Sequence, residues 1–116
     1  MSRGLVAALA AVLALAPVAS AHHGWSGYDG SKELKLTGNI TESGYEHPHG
    51  YVRLETTDKT WTVVLAPPSR MENRGLTAAM LKAGTRATVV GYPHRTDAGE
   101  MRAERITIGD KTTELR

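Results

Sequence analysis

Apolar and polar residues alternate over several short stretches of this chain, and the alternation predicts strands. Leu34, Leu36 and Ile40 interleave with Lys35, Thr37, Asn39 and Thr41, the two-residue period of a half-buried strand. Gly38 interrupts the apolar face, so a bulge or sharp bend is expected there, as a small barrel needs. Val52 and Leu54 within residues 51–55, and Trp61, Val63 and Leu65 within residues 60–66, predict a hairpin across Thr56-Thr57-Asp58-Lys59. Pro67-Pro68 ends that pairing, because proline cannot donate to a ladder. Residues 85–92 form a further strand, with Ala87 and Val89 on one face and Thr88 and Val90 on the other. In residues 100–108, Met101 and Ala103 share an inward phase that changes after Glu104, which predicts a bulge before Ile106 and Ile108. Gly109-Asp110 and residues 111–115 complete a last hairpin.

Helical signals are confined to residues 67–84. Ser69-Arg70-Met71-Glu72 has the form of a capping box, and Gly75 stops that helix early. Thr77 is placed to cap a second turn through Ala78, Ala79, Met80 and Leu81, closed by Gly84. Five or six strands with this insert between the third and fourth predict a mainly β fold, a small, partly open OB-like barrel. A β-sandwich fits the same strand spacing and stands as the alternative.

The N-terminus reads differently. Arg3, an apolar stretch from Leu5 to Leu15 and the small residues Ala19-Ser20-Ala21 have the layout of a cleaved export signal over residues 1–21. The uncharged run contains Pro17 and falls short of the roughly 20 apolar residues that span a bilayer, so no membrane span is expected after cleavage. Residues 22–31 then form an arm rich in Gly, Ser and aromatics, and residues 32–116 a single domain. Export would place the protein in the periplasm or outside the cell.

Cleavage after Ala21 would give a mature chain starting His22-His23-Gly24-Trp25. A histidine at a free N-terminus offers a metal its α-amino group and its imidazole together, whereas an internal histidine offers only a ring nitrogen. His47-Pro48-His49 is a second cluster, and the remaining histidine, His94, lies in a polar loop where a structural role is expected. The chain has no cysteine, so thiolate sites and disulfides are excluded and any metal must take nitrogen or oxygen. An all-nitrogen set suits Cu(II) above other common divalent ions. His22, His23, His49 and His47 are therefore the candidate metal ligands, with copper the candidate cofactor. The competing reading is a mobile tail at His22-His23 and a mere turn at His47-Pro48-His49.

Charge narrows the partners. The whole chain carries 14 Lys and Arg against 12 Asp and Glu, interleaved rather than gathered into a basic tract, which argues against nucleic acid. No Ser/His/Asp arrangement, phosphate loop or HExxH helix appears, so enzyme activity has no positive support. Tyr51 and Trp61 sit in strands, where aromatics are usually core or cross-strand partners. Trp25 and Tyr28 lie in the arm and could pin it onto the barrel.

Ala21-His22-His23-Gly24-Trp25, Leu36-Thr37-Gly38, Pro48-His49 and the regions of Gly91 and Ile106 resemble a group of small exported bacterial proteins catalogued as a domain of unknown function. That group typically starts its mature chain Ala-His-His and carries Asn-Pro-His later, where this chain has His47 in place of asparagine. The resemblance implies export and a small β domain, and supplies no substrate or reaction. The expected function is a non-enzymatic exported protein that binds Cu(II) or a similar ion through His22 with nearby histidines. The alternative is a metal-free ligand-binding or assembly module that uses the barrel face around Tyr51 and Trp61, with an exported protein as a partner.

Overall fold

The computed structural model describes residues 24–116. Six strands follow the alternation: β1 (Leu34–Gly44), β2 (Tyr51–Glu55), β3 (Thr60–Val64), β4 (Arg86–Pro93), β5 (Glu100–Ile108) and β6 (Lys111–Glu114). They run in the order β3-β2-β1-β4-β5-β6, and a parallel pairing of β3 with β5 closes the first five into a barrel. β6 extends β5 as an extra strand beyond the closure. The barrel reading is therefore the right one, and the sandwich alternative falls away because β3 and β5 join what would be two separate edges.

One long strand makes the closure possible. Leu34 to Asn39 of β1 pair with β4, and Asn39 to Gly44 pair with β2, so the strand changes partner within itself. Gly38 stands at that change. A Cβ there would collide with the Glu55 carbonyl and lie 2.8 Å from its carbon, so the main chains of β1 and β2 meet too closely for any side chain. The slip in register comes later, between Ile40 and Glu42, which makes Thr41 the extra residue. Gly38 is thus the site of a close crossing, and the bulge lies beyond it at Thr41. In β5 the expected change of phase is present: Gly91 pairs with Ala103 and Val90 with Arg105, leaving Glu104 unpaired.

Inward residues from every barrel strand meet in one core that includes Ile40, Leu54, Val63, Val89, Met101 and Ile106. The insert contributes Met71, Leu76 and Leu81, all fully buried. Its helix α1 (Pro68–Asn73) begins one residue before the expected capping box. Pro68 occupies the first helical position, where a missing N–H costs nothing and its fixed φ is already helical, so Ser69 falls inside the first turn and makes no cap bond. The exit is as expected. Gly75 takes a φ of 80°, Leu76 N donates to Met71 O at 2.9 Å, and Gly75 N donates to Glu72 O at 3.0 Å, a Schellman closure. Thr77 precedes a 3-10 turn (Ala78–Leu81), and its side chain likewise makes no cap bond.

A second close crossing fixes β4 on β5. A Cβ at Gly91 would overlap the Arg102 carbonyl and lie 2.8 Å from Ala103 Cα, both main-chain atoms with no freedom to rotate away. Gly91→Ala should therefore destabilise the barrel by about 1–3 kcal/mol, the usual cost of overpacking, measured as a lower midpoint in urea unfolding. Gly30→Ala, where nothing lies within 4 Å, should leave the midpoint unchanged.

Candidate functional site

Residues 24–29 lie against the barrel. Gly24–Gly27 form a 3-10 turn, and Tyr28 bridges His94 at the end of β4. Asp29 N donates to Pro93 O at 2.9 Å and Arg95 N to Gly27 O at 2.9 Å. The Tyr28 hydroxyl donates to the Glu100 carboxylate, and burial followed by this carboxylate pushes the phenol well above its ordinary pKa. His94 serves this join. Its Nδ1 accepts the main-chain N–H of Thr96 at 3.2 Å and of Asp97 at 3.0 Å, while its ring packs edge-on to Tyr28 with centroids 5.2 Å apart.

Trp25 occupies the centre of the contact. Its ring lies 6.4 Å from Tyr28 and 6.2 Å from Tyr92, both edge-to-face. Two guanidinium groups also stack on it, Arg102 with its Cζ 4.5 Å from the ring centroid and Arg116 with its Cζ at 4.3 Å. Arg102 is an outward residue of β5 between inward Met101 and Ala103, yet only 6% of its surface is exposed because the arm covers it. Arg116 is delivered by the chain end. Arg70 of α1 donates to Leu115 O at 3.0 Å, Arg74 donates to Glu114 O at 2.7 Å, and Arg116 pairs with Glu104 at 3.3 Å.

The sequence-predicted ligands divide. His22 and His23 lie outside the described residues. His47 is exposed and joined to Pro48 by a cis peptide bond. His49 is half-buried just before β2, and burial first, then the positive charges of Arg102 and Arg70, hold its imidazole below the usual histidine range. Among the described residues no three His, Asp or Glu side chains are grouped to hold a metal. The face expected around Tyr51 and Trp61 is partly occupied: the Tyr51 hydroxyl donates to Glu42, and Lys59 Nζ sits 4.1 Å from the Trp61 ring centroid. A cleft of about 360 Å³ beside Thr37, Asn39, Glu55 and Arg86 holds no histidine.

A family profile described as "Family of unknown function (DUF6152)" matches residues 9–103. The chain belongs to this family. No curated protein matches it. Among solved structures, it is similar to TiaS in a complex with a tRNA and ATP, at 20% identity and a TM-score of 0.52, over 77% of this chain and 20% of that one. A TiaS mutant lacking its ZRD, in complex with agmatine, gives 17% identity and a TM-score of 0.55, over 75% and 27%. The chain spans about a fifth to a quarter of these TiaS chains, and the likeness is one of fold.

Alternation and histidine spacing do not reveal Arg70, Arg102 or Arg116. The available signal is a lone arginine between two inward positions of β5, which reads as solvent-facing until the arm is known to cover it.

Two measurements check this arrangement. Trp25→Ala removes both guanidinium stacks and two ring contacts, and should cost about 2 kcal/mol in urea unfolding while exposing residues 24–29 to protease. His49 gives a pH signature. Its folded pKa lies below the unfolded value of about 6.5, so the unfolded chain binds the proton first as the pH falls. The His49 contribution to stability is therefore complete above that value and is lost as pH falls from it through the lower folded pKa. His49→Asn should show a flatter loss of stability between neutral and mildly acid pH.

Proposed function

We propose that the mature protein is an exported, non-enzymatic binding protein that holds Cu(II), or a similar ion, through the N-terminal amine and imidazole of His22 with His23 or His49. The observation that carries this reading is the docking of the arm. A Cβ on Gly24 would sit 3.3 Å from Arg102 Nη1, and the charge of the same Arg102 acts on His49. His23 is joined directly to Gly24, about 3.8 Å away between Cα atoms, so a short chain length separates the start of the mature protein from the His49 neighbourhood. A neutral imidazole is the form that binds metal, and the surroundings of His49 favour that form. His47, exposed and on the far side of Pro48, is an auxiliary ligand in this reading.

The guanidiniums beside His49 also oppose a bound cation, and this supports the metal-free module as a second reading. In the copper reading the chelating pair on His22 must outweigh that repulsion, which makes the terminal amine indispensable. Mature protein beginning at His22, with its start checked by intact mass, should therefore bind Cu(II) far better than a version with one extra Ala before His22. The expected loss exceeds roughly tenfold, the scale already reached when outer-shell partners of a metal are removed. Affinity should rise with pH through about 7.7–8.0 as the amine loses its proton. Equal affinity of the two versions would sink the amine site, and no binding by either would leave the metal-free module.

A further inference from the structure

Arg102 poses a charge problem that the copper reading leaves unsolved. The residue is more than nine-tenths buried, and its Nε is buried with no hydrogen-bond partner among the described residues. Burial disfavours its charged form, the nearby charges of Arg70 and Arg116 are both repulsive and add to that effect, and the Tyr28 phenol is held neutral. The two carboxylates of β5 itself are engaged elsewhere: Glu100 accepts from Tyr28, and Glu104 pairs with Arg116. Residues 1–23 contain no Asp or Glu, so that segment carries no side-chain carboxylate to supply the missing charge. The indole of Trp25 covers one face of the guanidinium but cannot accept in its plane, where the N–H groups point.

A buried cation with neighbouring cations and an idle in-plane donor is costly unless an anion reaches it. From this we infer that Arg102 is a receptor for a small external carboxylate, taken side-on through Nε–H and Nη2–H when the Trp25 arm that covers them shifts aside, with the charges of Arg70 and Arg116 adding to the attraction. A planar two-oxygen group matches the two parallel donors of that edge. The inference does not depend on a metal. If copper binds as proposed, the carboxylate would also offset the repulsion between the ion and the arginines.

The test uses metal-free mature protein and follows the Arg102 Nε–H resonance and the Trp25 indole resonance by NMR. Formate and acetate, with chloride as the ionic-strength control, should move both signals to saturation. Arg102→Lys keeps the charge but lacks the fork, and should weaken formate binding, read from the indole, at least tenfold while the amide spectrum stays that of a folded chain. If that variant unfolds, Arg70→Gln and Arg116→Gln decide the matter, each weakening formate several-fold with the Nε–H signal still present. Identical shifts with chloride would reduce the effect to screening and overturn the proposal. So would tighter binding of inorganic phosphate than of formate, or unchanged affinity in the rim variants.

Discussion

The main chains of β4 and β5 touch at Gly91, where the Arg102 carbonyl fills the space a side chain would need. Much else depends on that approach. With β5 held so close, Met101 and Ala103 turn into the core and Arg102 is left on the outside. The unpaired Glu104 then resets the phase so that Ile106 can point inward again. The same bulge offers the Glu104 carboxylate to Arg116, and its main-chain carbonyl accepts from Leu115 N at 2.8 Å. A single close crossing thus sets the positions of the arginine, of its aromatic cover and of the chain end that packs beside them.

Burying Arg102 is a poor way to gain stability, since a covered guanidinium loses hydration that stacking only partly restores. The guanidinium gives the contact a directional polar edge within an otherwise aromatic patch. It also exerts a field on His49, whose imidazole is kept towards its neutral form by burial and by two positive charges. The chemistry available here is that of a neutral nitrogen base beside a concentrated positive charge.

The strands are legible because alternation is a local property: Val52 and Leu54 of β2, Ala87 and Val89 of β4, and Met101 of β5 each face the core side that their spacing implies. The closure is less legible. Nothing in the local pattern of β3 or β5 says that they pair with each other in parallel, because pairing across dozens of residues is decided by the shape of the whole barrel. The capping box at Ser69 fails for a local reason, since a proline one position earlier already offers a helical start. The arginine cluster is hidden for a third reason. Trp25 stands out as an aromatic in the arm, but Arg70, Arg102 and Arg116 come from three other segments, and each alone looks like an ordinary surface residue. The histidines stand out in sequence because they are neighbours there, a different property from being neighbours in space.

Arg116 and Trp25 lie at opposite ends of the described chain and stack on one another in space. The arm and the residues that follow β6 are therefore two halves of one latch. Loosening the segment held by Arg70 and Arg74 would withdraw a guanidinium from the indole and weaken the seat of the arm. Strain applied to either half is felt by the other, and any group joined after Arg116 would emerge beside the start of the folded arm.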